Sequence, residues 1–297
     1  MRKLLLALVV GATLVSPAHA DTPPTAVVID MGFNDNLYKS NIVTEYCTIE
    51  NSTCLNGKPT MEGLGAANLP SNASTTLFSH GEEVLSVMVK LNPNIKVIPI
   101  RIVGISSAGN PFIYSQAGVK SALDWVVANQ AKFNIGVVNI SVGGIFAGCA
   151  MPAGLSADIA TLKSENVATV VATGNDSNRM SMNSPACDSN AISVGATDNP
   201  SAGISGISWD AKAKPTIATY SNGNAQTTVY SNGRYYVTNI AGANVFAVGT
   251  SFASPAVATW WLSNRKASWT DTYNALISST TPTNNQWLTG HYLFINS

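Results

Sequence analysis

Short apolar runs recur along the chain and alternate with segments of helical spacing. Each run is rich in β-branched and other apolar residues at consecutive positions, as is typical of strands buried on both faces of a parallel sheet. The predicted strands are 26–29, 96–103, 135–140, 167–173 and 191–194. Apolar residues return every three or four positions in 81–90, 115–130 and 155–166, which predicts three helices. The alternation predicts a three-layer α/β/α sandwich with a mainly parallel sheet and right-handed crossovers.

Two segments interrupt this alternation. Residues 46–79 are rich in Gly, Asn, Ser and Thr, and we expect them to leave the core as a long excursion. Residues 199–236 carry weaker, alternating patterns, with Ser-Asn-Gly at 221–223 and again at 231–233, which predicts an antiparallel hairpin.

The first twenty residues have the pattern of an export signal. Arg2 and Lys3 precede an apolar run over 4–15, and Ala18-His19-Ala20 matches the small-x-small site that signal peptidases cut. The run is short for a bilayer, which needs roughly 20 apolar residues, and no later stretch approaches that length. We therefore expect export, no membrane span and a mature chain that starts at Asp21; the alternative is an uncleaved N-terminal anchor.

Charge excludes several classes of partner. Without Arg2 and Lys3 the chain has 14 basic and 16 acidic residues, a net charge of about −2 with no block of like charge. We expect no nucleic-acid or membrane partner, and a monomer that folds as one domain over 21–297.

Four cysteines, Cys47, Cys54, Cys149 and Cys187, form an even set in a chain expected to reach an oxidising compartment. We expect two disulfides. Three pairings are possible, and we favour the one that keeps the Cys47–Cys54 bridge local and joins Cys149 to Cys187. The rival is a zinc site, which the absence of a CxxC pair disfavours.

Histidine is scarce, which narrows the choice of a general base. Of the three histidines, His19 belongs to the predicted leader and His291 lies six residues from the C-terminus. His80 stands in Phe-Ser-His-Gly-Glu-Glu-Val, where a loop gives way to a predicted helix. A lone histidine is more often structural than catalytic, so its neighbours must decide.

Asp30 ends the first predicted strand, and Asn175 follows the strand over 167–173. Chemistry in open α/β sheets gathers beyond the carboxyl ends of the strands. A buried Asp there can orient a histidine and stabilise its imidazolium form, and an Asn side chain can donate to a developing oxyanion. The rival interpretations are a turn-capping Asp and an ordinary Gly-Asn turn.

Ser251 lies in Gly-Thr-Ser-Phe-Ala-Ser-Pro-Ala, just before an apolar run over 257–262. Pro255 and the small residues are compatible with a helix start. A serine there has free backbone amides and the positive end of the helix dipole beside it. The rival interpretation is a helix N-cap serine.

Five segments, taken in order, resemble the signatures of the subtilisin family. They are Val-Ile-Asp30-x-Gly, His80-Gly-x-x-Val, Asn139-Ile-Ser-Val-Gly-Gly, Ala-Thr-Gly-Asn175 and Gly-Thr-Ser251-Phe-Ala-Ser-Pro. The last is the most specific, and the order Asp, His, Ser is that of subtilisin. The resemblance implies a serine endopeptidase with an Asp30-His80-Ser251 triad and an oxyanion hole completed by Asn175.

The resemblance also implies how substrate would bind. Ser141, Val142 and Gly143 would pair with the substrate backbone as an added strand, and with Thr173 and Gly174 they would line the S1 pocket. Cys149 and Cys187 would lie on loops that flank S1. No cofactor is required for this chemistry. Family members often bind structural calcium, for which Asn34, Asp35 and Asn36 are possible ligands.

Two features depart from the family pattern. Only 21–29 separates the predicted cleavage site from Asp30, so we see no pro-domain and expect folding unaided or with an external helper. Glu82 and Glu83 follow His80-Gly81 where relatives often carry small or hydroxylated residues and a second histidine. These carboxylates either shift the pKa of His80 or face solvent, and we favour solvent. The rival functions are a non-catalytic secreted binding protein on this fold and a specialised processing or peptide-ligating relative.

Overall fold

The computed structural model describes residues 23–111, 115–144, 146, 149–198, 216–285 and 288–293, with the backbone alone for 282–293. The predicted leader, 1–20, lies outside the described residues. The strands are β1 (Thr25–Asp30), β2 (Tyr46–Thr48), β3 (Thr60–Glu62), β4 (Lys96–Arg101), β5 (Ile135–Ile140), β6 (Ala168–Ala172), β7 (Ile192–Asp198), β8 (Thr216–Ile217), β9 (Val229–Asn232), β10 (Arg234–Thr238), β11 (Asn244–Val248), β12 (Thr280–Asn285) and β13 (Leu288–Leu293). The helices are α1 (His80–Leu91), α2 (Gln116–Asn129), α3 (Leu155–Ser164), α4 (Thr250–Ser263) and α5 (Trp269–Ser278).

Within the described residues, eleven strands form one mixed sheet. Its order is β12-β13-β9-β7-β6-β5-β1-β4-β2-β3, and β8 pairs with β7. The strands at its centre, β4, β1, β5, β6, β7 and β9, are mutually parallel. The carboxyl ends of these strands therefore share one edge of the sheet, where the loops after β1, β5 and β6 meet.

The side chains of β1 point alternately into two separate cores. Ala26 and Val28 join a core that contains apolar residues of α1 and α4. Val27 and Ile29 join a second core that contains apolar residues of α2 and α3. Because successive strand residues face opposite sides of a sheet, the helices form two layers around it. The predicted three-layer sandwich is confirmed.

The structure refines two sequence predictions about the irregular segments. The segment 46–79 contributes β2 and β3, and β2 extends the sheet beside β4, so the segment does not leave the core entirely. Antiparallel pairing does occur in 199–236, where β8 pairs with β7, and a further antiparallel hairpin, β10 and β11, starts in this range and extends beyond it. The preceding strand, β9, runs parallel to β7 instead. Such short strands carry too few residues for their partners to be read from local alternation. Residues 199–215 lie outside the described part of the chain.

In the part of the chain that the structure describes, no helix has the length and apolar character that a bilayer crossing requires.

Candidate active site

A hydrogen bond joins Asp30 to His80 at the carboxyl edge of the sheet. Asp30 is the last residue of β1 and is fully buried, and His80 is the first residue of α1. His80 Nδ1 lies 2.8 Å from Asp30 Oδ1, which also accepts from the Met31 N–H at 2.7 Å. A carboxylate on Nδ1 favours the tautomer that carries its proton there, which leaves Nε2 free to accept a proton.

Gly81 allows α1 to approach β1 this closely. A Cβ atom on Gly81 would lie 2.5 Å from Gly32 O and 3.1 Å from Asp30 Cβ. A 2.5 Å contact with a backbone oxygen does not occur, so any larger residue would push the start of α1 away from β1. Steric exclusion therefore explains why glycine follows His80 in the sequence.

The surroundings of His80 change its basicity in opposite directions. Burial lowers the pKa of the imidazole, but the charge and hydrogen bond of Asp30, with a smaller contribution from Glu83, outweigh burial and leave the pKa above 6.5. The side chain keeps 28% of its surface exposed. His80 is therefore a strengthened base that substrate can still reach.

Ser251 is the second residue of α4 and shares a cleft with His80. Its hydroxyl donates to Ser141 O at 3.2 Å, and among the described residues no hydrogen bond joins it to His80. Both side chains line one cavity of about 360 Å³. Hydrogen bonds between a catalytic serine and histidine are often long or poorly aligned when no substrate is bound. The Ser251 N–H belongs to the first turn of α4, where backbone amides lack acceptors within the helix.

Asn175 lines the same cavity, and two hydrogen bonds fix the orientation of its side chain. Its Oδ1 accepts from the Thr250 N–H at 2.9 Å and from the Thr250 hydroxyl at 3.0 Å. With the amide oxygen held by two donors, Nδ2 is the group left to face the cavity. The structure thus brings His80, Ser251 and Asn175 to one cleft, with Asp30 buried beneath it and bonded to His80.

A buried polar network lies beneath Ser251. The Asn139 side chain donates to Ser141 Oγ at 3.0 Å and accepts from Ser254 Oγ at 2.7 Å, and Ser141 Oγ donates to Ser251 O at 2.9 Å. These bonds tie the end of β5 to the start of α4. We did not assign this role to Asn139 and Ser254 from the sequence. The available signal was a polar residue, Asn139, inside a strand buried on both faces.

The expected substrate-binding residues mostly line the cleft. Ser141, Val142, Gly143 and Gly174 do so, together with Asn183 from the loop before β7. Thr173 is fully buried, and its hydroxyl donates to Asn222 O at 2.8 Å rather than facing the cavity.

The expectation that Glu82 faces solvent was wrong. Glu82 is fully buried in α1, and Glu83 is half-buried. Glu82 Oε2 accepts from the Asn34 N–H at 2.8 Å, so the segment after β1 folds over this helix face.

Both disulfides are present, in the pairing favoured from the sequence. Cys47 is joined to Cys54, and Cys149 to Cys187. The second bridge connects the segment after β5 to the loop that carries Asn183.

Removing the longer-range bridge is expected to cost more stability. It spans 38 residues, against 7 for the local one. Chain entropy then predicts a loss of about 4 kcal/mol for Cys149→Ser with Cys187→Ser and about 2 kcal/mol for Cys47→Ser with Cys54→Ser. Urea unfolding of both double variants measures this; equal losses, or a larger loss for the local bridge, would contradict the expectation.

Asn34, one of the residues considered for calcium, bonds to other groups of the protein. Asn34 Oδ1 accepts from the Asn36 N–H, and Asn34 Nδ2 donates to Ile240 O. Among the described residues, no three His, Cys, Asp or Glu side chains are grouped as a metal site requires.

Comparison with known proteins assigns the class. The family model described as "Subtilase family" matches residues 63–291, more than half of the chain, and the chain belongs to this family of serine peptidases. A "Cuticle-degrading serine protease" of Orbilia oligospora is 25% identical over 182 residues, which cover 59% of this chain and 40% of that protein. The match therefore spans well under half of the relative's length.

Solved structures share the fold. A cold-adapted subtilisin-like serine proteinase has a TM-score of 0.63 at 19% identity and covers 92% of this chain and 89% of its own. The prenylagaramide maturation protease PagA also has a TM-score of 0.63 at 19% identity and covers 89% of this chain and 85% of its own.

Proposed function

We propose that the chain is a secreted serine endopeptidase that hydrolyses peptide bonds through an acyl-enzyme, with Asp30, His80 and Ser251 as its triad. The observation that carries this proposal is the Asp30–His80 hydrogen bond beside Ser251 and Asn175 in one cleft. Substrates are proteins or peptides, bound along 141–143 by a monomeric peptidase domain over 21–297.

The proposed chemistry begins when the Ser251 hydroxyl turns from Ser141 O towards His80 Nε2. Ser251 Oγ attacks the substrate carbonyl carbon while Nε2 takes its proton, and Asp30 stabilises the imidazolium. The Ser251 N–H and Asn175 Nδ2 donate to the oxyanion. The intermediate then expels the amine, which receives the proton from His80. Water, activated by His80, hydrolyses the acyl-enzyme and restores Ser251. No metal or cofactor takes part in these steps.

Removal of the Asn175 amide is expected to lower kcat with little change in KM, because the bond to the oxyanion exists only in the transition state. For Asn175→Ala we expect a loss of about 10²- to 10³-fold, the range known for the corresponding donor of subtilisin itself. Steady-state kinetics on a peptide amide measures it. The control is Asn94→Ala, since Asn94 is exposed in the turn before β4. A rise in KM with kcat unchanged would assign Asn175 to ground-state binding instead.

Secretion is supported by the two disulfides, because such bridges persist in oxidising compartments. N-terminal sequencing of protein exported from a host cell tests it: a start at Asp21 is expected, and an intact leader would support the anchored alternative.

A specialised processing protease is the second candidate, favoured by the shared fold with a maturation protease. Casein and a peptide library, digested side by side, separate the candidates. Broad cleavage of unfolded casein supports the general endopeptidase. Cleavage confined to one peptide motif supports the processing enzyme. No cleavage of either substrate would support a non-catalytic binding protein.

A further inference from the structure

Glu82 is a fully buried carboxyl group two residues after His80, in the first turn of α1. Carboxyl groups are rarely buried completely without a structural reason. None of the catalytic steps proposed above uses this group.

Glu82 connects the helix that carries His80 to the segment that follows Asp30. Glu82 Oε2 accepts from the N–H of Asn34, which lies four residues beyond Asp30. The first turn of α1 therefore holds the segment 30–34 at both ends, through His80 at Asp30 and through Glu82 at Asn34.

A second buried carboxyl group, Glu45, supports the loop to which this segment bonds. Glu45 Oε2 accepts from the Ala67 N–H at 2.8 Å. Ala67 O in turn accepts from the Phe33 N–H at 3.2 Å, and Asn68 Oδ1 accepts from the Asp35 N–H at 3.0 Å. The segment 33–35 is thus clamped between α1 and the loop over 63–68.

We propose that Glu82 is a positioning residue of the active site, which fixes the geometry of the Asp30–His80 pair through its hydrogen bond to the Asn34 N–H. This inference rests on the proposed function, because its kinetic consequence requires a working triad. Loss of the bond removes the attachment of this segment to α1 and leaves the bonds to Ala67 and Asn68, and Asp30 is the residue from which the segment starts.

The electrostatic surroundings of Glu82 are acidic. The titratable groups that act on it from neighbouring elements are Glu45, Asp35 and the Tyr38 hydroxyl. Burial first, and then these two carboxylates, raise the pKa of Glu82 to about 8, against the lowering effect of the Asn34 N–H. Near neutral pH the group is therefore an uncharged acid that still accepts a hydrogen bond, a state that glutamine reproduces.

The pH dependence follows from the sign of this shift. Because the pKa lies above its ordinary value of 4.5, the contribution of Glu82 to folding stability is complete below pH 4.5 and is lost as the pH rises through about 8. Above that pH a charged Glu82 stands beside Glu45 and Asp35, and repulsion loosens the segment that Glu82 holds.

The test compares Glu82→Met, which keeps the bulk and removes the hydrogen bond, with Glu82→Gln, which keeps both. We expect Glu82→Met to lose about 10²-fold in kcat with KM little changed, the size of effect that a small misplacement of catalytic groups produces. Glu82→Gln is expected to recover most of that loss at pH 6.5 and to lack the fall in kcat near pH 8. Glu165→Gln is the matched control, since Glu165 is exposed at the end of α3.

Two further measurements do not depend on catalysis. The Tm of Glu82→Gln minus that of the parent chain is expected to grow from pH 4.5 to pH 8 and then stay level. In NMR spectra, the downfield Nδ1–H signal of His80 is expected to be sharp in the parent and in Glu82→Gln, and broadened or absent in Glu82→Met.

Unchanged kcat and an unchanged His80 signal in Glu82→Met would overturn the inference. An identical pH profile for Glu82→Gln and the parent would also do so, and this comparison remains available if Glu82→Met does not fold. A parent chain that hydrolyses nothing would overturn the proposed function alone, because the His80 signal would still decide the role of Glu82.

Discussion

Replacing Ser251 with alanine is expected to reduce kcat by about 10⁶-fold, the scale known for loss of the nucleophile in subtilisin itself. The nucleophilic oxygen is removed, so no acyl-enzyme can form. The fold should persist, because among the described residues the hydroxyl makes a single bond, to Ser141 O, and the surrounding network uses the Ser251 carbonyl instead. Burst and steady-state kinetics on an activated peptide ester and a peptide amide measure the loss.

The matched control is Ser164→Ala, because Ser164 is exposed on α3 and its hydroxyl bonds to Thr161 O within the same helix. Retained hydrolysis in Ser251→Ala, with a Tm equal to that of the parent, would mean that another residue is the nucleophile.

Replacing Asp30 with asparagine is expected to lower kcat by about 10⁴-fold, as the equivalent change does in a trypsin-like triad. An amide at this position can donate to His80 Nδ1, which favours the tautomer with its proton on Nε2, where it cannot serve as a base for Ser251. The asparagine side chain has the same size as the aspartate side chain that it replaces, so the core around β1 should tolerate the change.

The same variant separates electrostatics from packing through its pH profile. The Asp30 charge is the largest contribution that raises the pKa of His80, so its removal lowers that pKa and moves the acid limb of the remaining activity to lower pH. The control is Asp124→Asn, a surface group paired with Lys120 whose loss should cost little. An acid limb that does not move in Asp30→Asn would contradict the assigned role of Asp30.

Much of the site could be predicted because its residues are placed by local sequence. A consecutive apolar run ending in Asp30, and another leading to Asn175, put both side chains at the carboxyl edge of a parallel sheet. The small residues and Pro255 around Ser251 indicated a helix start, which α4 provides.

Other features depend on contacts between distant segments, which local pattern does not report. A Glu in the first turn of a helix usually favours the helix dipole from the surface, yet Glu82 is buried and bonds to the Asn34 N–H, 48 positions away in the chain. Likewise, the bond between Asn139 and Ser254 joins residues 115 positions apart. The pairing of β2 with β4 links strands separated by α1.

The most direct test of the account is reaction of the folded protein with a fluorophosphonate probe, followed by peptide mapping of the labelled site. One covalent adduct is expected, on Ser251, and it should disappear in Ser251→Ala, in His80→Ala and after denaturation. An adduct on a different serine, or no adduct on folded protein, would contradict the assignment of Ser251 as the nucleophile activated by His80.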